Sequence, residues 1–253
     1  MAILDKRTNT PFAAPGGPRR LAETVADAIA MALLEGRIAP GDALPSEAEI
    51  SAEFGVSKPI AREALRALAS AGLVHTQHGK LSRAKRLNGG PLDRVYGMAI
   101  RANPKHMRHA NELRLVVEPG VARIAAERQD PEGMEAMREA RKGMEAMDVD
   151  ADHFPDLDVA FHHAIALATG NFLIRVQMEG LESIQRAVSE VFSHRNTRGP
   201  TEWAETIDRH VAIAEAIEAG DPDAAETAMR DHFAAADLAA VEVEKLVQKG
   251  NGW

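Results

Sequence analysis

The chain has 253 residues, a formal net charge of −8 and no cysteine. The absence of cysteine excludes disulfides and thiolate zinc sites, and the acidic balance argues against non-specific binding to nucleic acid. No apolar run approaches the roughly 18 residues that cross a membrane, and no signal peptide is recognisable, so we expect a cytoplasmic protein without a membrane partner.

Proline and glycine punctuation divides the chain into four parts. The Pro- and Gly-rich start predicts a disordered arm over residues 1–19, and Asn88-Gly89-Gly90-Pro91 predicts a linker over 88–92. Residues 20–87 are predicted to form three helices and a small β-hairpin. Residues 93–250 are predicted to form a second, all-helical domain, so the expected fold class is mainly α.

Two short helices joined by a tight turn are predicted over residues 46–71. Ser46 with Glu49 three residues later is a capping box, which starts the first helix. Gly55 marks the turn, and Ser57 is a suitable N-cap for the second helix. The apolar face of the second helix is predicted to comprise Ile60, Ala64, Leu65, Leu68 and Ala71. A preceding amphipathic helix would add Leu21, Val25, Ile29 and Leu33 to the same core.

A basic stripe is predicted on another face of the second helix. Lys58, Arg62 and Arg66 are spaced four residues apart and therefore share that face. Residues 57–86 contain seven Lys and Arg against one Glu, whereas residues 91–253 have 18 basic and 29 acidic residues, a net charge of −11. This pattern favours docking of the second helix in the major groove of DNA. The alternative is an ordinary helix pair with a solvated basic face.

A basic hairpin is predicted directly after this helix pair. Residues 73–76 form its first strand, His78-Gly79-Lys80 form its turn, and residues 81–86 form a basic return strand. The turn would lie beside the reading helix and meet the same DNA duplex.

This stretch resembles the winged helix-turn-helix of the GntR superfamily of bacterial transcription factors. The resemblance is carried by Leu44-Pro45-Ser46-Glu47-Ala48-Glu49-Ile50, by Gly55-Val56-Ser57-Lys58-Pro59-Ile60-Ala61-Arg62-Glu63-Ala64-Leu65 and by Gly72-Leu73-Val74. The turn Gln77-His78-Gly79-Lys80 is similar to the wing of the FadR subfamily. The resemblance implies DNA contacts by Ser57, Lys58, Arg62, His78 and Gly79, to which the basic pattern adds Arg66 and Lys80.

Two positions depart from the family pattern. Ala48 stands where the family usually has an Arg that reads a guanine, and Lys58 replaces another Arg. Lysine acts as a point charge, whereas arginine can bind guanine with two parallel hydrogen bonds. We therefore expect a changed operator sequence and not a loss of DNA binding.

The remainder of the chain has only helical patterns, predicting a bundle of six to seven helices. They are expected near residues 92–100, 105–127, 131–147, 153–169, 171–193, 202–219 and 222–247. Pro119 falls inside the second of these helices and is expected to kink it.

Four polar residues of this bundle lie in or beside apolar helical stripes. Asp158 and His162 are an i, i+4 pair on one face, and His210 and His232 belong to two further helices. Three imidazoles and a carboxylate suit a divalent ion such as Zn²⁺, Ni²⁺, Fe²⁺ or Mn²⁺. The alternative for each histidine is a hydrogen-bonded core residue, and spacing alone does not establish that the four converge. His163 is expected to point elsewhere, into solvent.

This domain resembles the FCD ligand-binding domain, which is paired with the GntR reader in the FadR subfamily. The resemblance is carried by the segments 158–163, 168–171, 208–210 and 229–232. It implies metal binding by Asp158, His162, His210 and His232. It also implies that Arg114, four residues before Glu118, meets the carboxylate of an effector. Asn171 is either an effector-binding residue or only a helix break after Gly170.

The sequence thus predicts a transcriptional repressor, not an enzyme. The resemblance implies a homodimer, and a twofold dimer is expected to bind a palindromic site in double-stranded DNA. A small carboxylate, such as a sugar acid or hydroxy acid, is the expected effector. One alternative is a metal-dependent helical-bundle hydrolase or lyase acting on small acids. Against it, no inward-facing Glu or second His is recognised as a general base. Another alternative is a purely structural metal without an open coordination position.

Overall fold

The computed structural model describes residues 18–76, 81–103, 105–146, 152–193 and 200–234. The chain divides into two compact units between Leu87 and Asn88. Residues 1–17 of the predicted disordered arm lie outside the described residues, and residues 18 and 19 begin the first helix instead.

The first unit consists of three helices and a two-stranded antiparallel sheet in its described residues. Its elements are α1 (Pro18–Leu34), α2 (Glu47–Phe54), α3 (Lys58–Ser70), β1 (Val74–His75) and β2 (Arg83–Ala84). In the sheet, Val74 pairs with Ala84 and His75 pairs with Arg83. The strands are shorter than those predicted over 73–76 and 81–86. The predicted turn, with His78, Gly79 and Lys80, lies outside the described residues.

The connection between α2 and α3 follows from local signals. Ser46 Oγ accepts a hydrogen bond from Glu49 N–H at 3.3 Å, and Glu49 Oε2 accepts one from Ser46 N–H at 2.8 Å, which confirms the capping box. Gly55 ends α2 with φ 63°, a left-handed conformation that glycine adopts without a steric penalty. Ser57 is the N-cap of α3, and Pro59 lies in the first turn, where its missing N–H has no helical partner to lose.

The core of the first unit lies between α1, α2 and α3. Its buried side chains include Val25, Ile29, Leu44, Ile50, Leu65 and Leu68. The predicted apolar face of α3 is partly wrong, because Ile60 is half-buried and Ala71 is exposed, whereas Ala61 is fully buried. The buried stripe begins at Ala61 because Ala64, Leu65 and Leu68 follow it at i+3, i+4 and i+7. Leu21 of α1, predicted for this core, is 50% exposed.

All regular elements among the described residues of the second unit are helices. Its elements are α4 (Gly90–Ala102), α5 (His106–Arg128), α6 (Pro131–Glu145), α7 (Phe154–Ala168), α8 (Phe172–Glu179), α9 (Glu182–Ser193), α10 (Pro200–Glu218) and α11 (residues 222–234). The predicted fold class, a small winged unit followed by an all-helical unit, is confirmed. None of the described helices is long and apolar enough to cross a membrane.

Two differences from the predicted helices lie at the start of α4 and at the break between α8 and α9. Residues 90–92, expected to be linker, form the first turn of α4, where Pro91 suits a helix start. A single helix was expected over 171–193, but Gly180 separates α8 from α9. The two features are in contact: Gly89 N–H donates to Glu179 Oε2 at 2.8 Å, and a Cβ at Gly89 would clash with the backbone of Gly180.

Helix α7 is the centre of the second unit and packs against α5, α6, α8 and α9. Its buried face carries Phe154, Phe161 and Ile165. Gly133 of α6 lies so close to the end of α7 that a Cβ there would clash with the backbone of Ala168. Helix α5, which also packs against α7, continues as one α-helix through Pro119. The polar residues of α7 are thus held by packing on several sides.

Candidate metal centre and DNA-binding surface

Four predicted ligands meet inside the second unit. Asp158 and His162 come from α7, His210 from α10 and His232 from α11, and all four residues are buried. One potential ligand atom from each lies within 4.8 Å of the others. The i, i+4 spacing accounts for the neighbouring side chains on α7, whereas packing of three helices brings in the other two. The described residues therefore contain a His/Asp group that could hold a metal ion.

The second ring nitrogen of His162 is engaged outside this group. His162 Nδ1 contacts Glu118 Oε2, a buried carboxylate on α5. His162 Nε2 is buried 3.8 Å from Asp158 Oδ1 and has no hydrogen-bond partner within the described part of the chain. A buried nitrogen without a partner is costly, and a carboxylate on Nδ1 is the arrangement that orients a histidine toward a metal.

The tautomer of His210 is set by its backbone contact. His210 Nδ1 lies 2.8 Å from the carbonyl oxygen of Thr206, which can only accept, so Nδ1 carries the proton. In the neutral ring, Nε2 then presents a lone pair to Asp158 Oδ1 at 3.0 Å. Two acceptors at that distance need a cation or a proton between them. The donor set therefore fits a divalent metal ion.

The protonation states of the group favour metal binding. Burial by itself would raise the pKa of Asp158, but the contact with His210 and the neighbouring imidazoles, when these are protonated, outweigh burial and lower it. Burial and the charges of His210 and His162 lower the pKa of His232 well below its ordinary value. Asp158 is therefore ionised and His232 neutral near pH 7, which are the forms that coordinate metals.

Behind the group, Arg114 and Glu118 form a buried ion pair on α5. Arg114 Nε donates to Glu118 Oε1 at 2.6 Å, and the guanidinium lies 5.0 Å from the centroid of the Phe233 ring. Burial would raise the pKa of Glu118, but the charges of Arg114 and His162 outweigh it and lower the pKa. The expectation of no inward-facing Glu is therefore wrong. Glu118 is bound by Arg114 and His162 and orients both.

A cavity adjoins the four-residue group. Its polar lining comes from Arg114, Gln185, Ser189, Thr206 and Arg209, and three phenylalanines supply much of its apolar lining. The space between atoms is about 420 Å³, including the part that opens to solvent. Gln185 Oε1 and Ser189 Oγ are buried there with no hydrogen-bond partner among the described residues. These atoms of α9 and Arg209 of α10 are site features that the sequence analysis missed, since Gln, Ser and Arg are common on solvated helix faces and do not by themselves indicate a site.

Two other predicted residues lie outside the cavity lining. Asn171 is the N-cap of α8, where its Oδ1 accepts from Leu173 N–H at 3.0 Å and from Ile174 N–H at 3.3 Å. This matches the helix-break alternative for Asn171. His163 is outside the metal group, as expected, but it is half-buried, not solvated. Burial lowers its pKa.

Four of the predicted DNA-contacting residues belong to α3 or its N-cap, whereas His78, Gly79 and Lys80 lie outside the described residues. Ser57, Lys58, Arg62 and Arg66 are all exposed at α3. Arg62 is joined to Glu47 of α2 by two hydrogen bonds of 2.8 Å, and Arg66 approaches Glu63 at 3.7 Å. The hydrogen bond from Arg62 lowers the pKa of Glu47. The surface is therefore basic, with one cation held in a fixed orientation.

Comparisons with known proteins agree with this two-part organisation. Residues 21–81 match the family described as bacterial regulatory proteins, gntR family, and residues 109–235 match the FCD domain. The HTH-type transcriptional repressor NanR of Cronobacter sakazakii is 31% identical, over 87% of this chain and 85% of that protein. NanR of Escherichia coli K12 is 30% identical, over 87% and 84%.

The fold is also found in a solved structure. Streptococcus agalactiae GntR superposes with a TM-score of 0.69 at 22% identity, covering 86% of this chain and 99% of that chain. Both family matches fall on the units described above, with the FCD match spanning the four-residue group. The chain therefore belongs to the gntR family of bacterial regulatory proteins, with a helix-turn-helix unit followed by an FCD domain.

Proposed function

We propose that this protein is a cytoplasmic transcriptional repressor of the FadR subfamily that binds a palindromic DNA operator as a homodimer. In this proposal the helical unit binds a divalent metal ion and a small carboxylate effector, which together change operator affinity. The observation that carries the proposal is the buried group of Asp158, His162, His210 and His232 in an FCD domain that follows a helix-turn-helix.

DNA binding by the first unit is supported by its surface and by its relatives. Lys58, Arg62 and Arg66 form an exposed stripe on α3, while the rest of the chain is acidic. Phosphates would be attracted to this face and repelled elsewhere. The relatives are named repressors, which favours repression as the output. A twofold homodimer would place two such stripes on a palindromic site.

Metal binding is supported by the donor chemistry. Asp158, His162, His210 and His232 would hold the ion, with Glu118 and the Thr206 carbonyl orienting two of the imidazoles. Imidazole and carboxylate donors suit Zn²⁺, Ni²⁺, Fe²⁺ or Mn²⁺. When bound, such an ion supplies a Lewis-acidic position that accepts a carboxylate oxygen.

Effector binding is supported by the cavity beside this group. Arg114 lines it and is the residue expected to meet a carboxylate, which a guanidinium binds strongly. Gln185 Oε1 can accept a hydrogen bond from a ligand hydroxyl, and Ser189 Oγ can donate or accept one. These groups favour a hydroxylated acid over a simple fatty acid. The effector would shift repression only through different affinities for the DNA-bound and free arrangements.

The enzyme alternative receives no support from these findings. The family is one of regulatory proteins. Glu118, the buried Glu that could be considered as a general base, is already bound by Arg114 and His162.

The proposal is tested by selecting bound duplexes from a random DNA pool with purified full-length protein, with metal present and after chelation. We expect enrichment of one short palindrome by the native protein and its loss in Arg62→Ala. No enrichment in either condition would overturn the repressor proposal.

The selected operator then tests the sensor. Carboxylic acids are screened for release of the operator from metal-loaded and from chelated protein. We expect hydroxylated acids to act only on the metal-loaded form. Metal binding without any acid effect would favour the purely structural role of the metal.

A further inference from the structure

An ion pair on the DNA-binding surface joins α2 to α3. Arg62 Nε donates to Glu47 Oε1 and Arg62 Nη2 donates to Glu47 Oε2, each at 2.8 Å. The side chains are 55% and 35% exposed, so the pair lies at the surface. The backbone of Glu47 is held in place, because it is the first residue of α2, directly after the N-cap Ser46 and inside the capping box that Ser46 and Glu49 form. The carboxylate is thus an anchored partner.

The geometry of the pair leaves one edge of the guanidinium directed away from the carboxylate. A guanidinium has five N–H donors in a planar fork, and Glu47 engages the side formed by Nε and Nη2. The Nη1–Nη2 edge carries the parallel donors that match the two acceptors of a guanine in the major groove. Glu47 can therefore stay bound to Arg62 while Arg62 contacts a base.

The other cations of the stripe are held differently. Lys58 is a point charge on a flexible stem, and Arg66 approaches a carboxylate oxygen of Glu63 at 3.7 Å. Within the described residues of α3, Arg62 is the stripe cation fixed by two short hydrogen bonds. An exposed arginine loses rotamer freedom when it docks, and a preset orientation reduces that loss.

We infer that Glu47 is a positioning residue for sequence recognition, which holds Arg62 so that its outer edge reads one base pair in each half-site. The inference rests on the DNA-contacting role proposed for Arg62. Its rival is a simple electrostatic role, in which the Glu47 carboxylate repels phosphates and weakens binding to every sequence equally. The two roles differ in what they change: base preference or overall affinity.

The test compares Glu47→Gln with the native full-length protein by selection from a random DNA pool and by titration of the selected operator. We expect the preference at one position of each half-site to fall about tenfold, with the other positions unchanged. Affinity for unrelated DNA should stay equal or increase, because a negative charge has been removed. Glu63→Gln is the matched control, since it removes the same charge from the next helix and should keep every preference.

Arg62→Lys supplies the reciprocal measurement. It should lose preference at the same position, and the double variant with Glu47→Gln should lose no more than either single variant. If Glu47→Gln keeps all base preferences and only shifts affinity uniformly, the positioning role is overturned. If Arg62→Lys changes no preference, the reading role of Arg62 itself fails. Melting curves check folding, and Glu47→Asp, which keeps the charge but shortens the reach, replaces Glu47→Gln if that variant unfolds.

Discussion

The two units each contain an Arg–Glu ion pair, and the pairs have opposite surroundings. Arg62 and Glu47 meet at the surface with side chains 55% and 35% exposed, whereas Arg114 and Glu118 are 4% and 2% exposed. The surface pair joins two helices that pack around a shared core, and the buried pair lies one turn apart on α5. The same two residue types thus lie on the proposed DNA-contacting surface in one unit and beside the candidate metal group in the other.

The difference in burial changes what each pair can do. Water screens an exposed pair, so its main effect is on the orientation of a side chain. A buried pair has lost its hydration, and the attraction between the two charges offsets the cost of removing each of them from water. Glu118 also contacts His162, so Arg114, Glu118 and one candidate metal ligand form a connected set. We therefore expect substitutions at the buried pair to lower both stability and metal affinity strongly. Substitutions at the surface pair should change DNA recognition with little effect on stability.

The largest effect is expected for Glu118→Ala. Removing this carboxylate leaves the Arg114 guanidinium buried without its partner, which costs about 3–5 kcal/mol of unfolding free energy. Metal affinity should also fall about 10- to 100-fold, because His162 loses the group that orients it. Chemical denaturation and metal titration measure the two effects. Glu112→Ala, an exposed position on the same helix, is the control and should leave both unchanged.

His210→Ala is expected to remove high-affinity metal binding. It takes one ligand from the group of four and removes the imidazole contact that lowers the pKa of Asp158. The loss should exceed the roughly 100-fold effect of a supporting residue. Metal content after dialysis is the measurement. His163→Asn, beside a ligand but outside the group, should retain the ion; equal metal content in His210→Ala and the native protein would contradict the site.

Acidification should destabilise the metal-free helical unit. The pKa of His232 is lowered well below 6.5 in the folded chain. As pH falls below about 6.5, the unfolded chain therefore takes up a proton that the folded chain does not, which favours unfolding. The lowered pKa values of Asp158 and Glu118 act in the same direction at lower pH. Melting in chelator at pH 7.5 and pH 5.5 measures the shift, and His232→Gln should make it smaller.

The smallest effect on stability is expected at the surface pair. Glu47→Gln should leave the melting temperature unchanged within error, because both partners remain solvated and screened. A clear drop in melting temperature would mean that the pair holds α2 against α3. The surface pair would then stabilise the fold as the buried pair does, and the expected difference between the two pairs would be wrong.

Local signals in the sequence were sufficient to predict those parts of the structure that depend on contacts between neighbouring residues. The capping box at Ser46 and the left-handed Gly55 fix the α2–α3 turn through neighbouring backbone groups. The break at Gly180 was missed, because a glycine inside a helical pattern weakens a helix by only about 1 kcal/mol and leaves both outcomes open. There the contact with Gly89, 91 positions earlier in the chain, accompanies the break.

The site was predictable only in part for a similar reason. Periodicity placed Asp158, His162, His210 and His232 on inward faces, but their convergence depends on the packing of α7, α10 and α11. Glu118 was harder to assign, since an Arg and a Glu four residues apart most often form a solvated surface pair. Its burial follows from the neighbours of α5, which no local pattern of the sequence contains.

The close approach of Gly133 to α7 extends the site beyond its own lining. A single methyl group at position 133 would push against the backbone of Ala168 and displace the end of the helix that carries Asp158 and His162. Interiors are packed too densely to absorb such a shift without moving side chains nearby. The absence of a side chain at position 133 of α6 therefore helps to set the distances between the proposed metal ligands. A survey of ligand-contacting residues would overlook it.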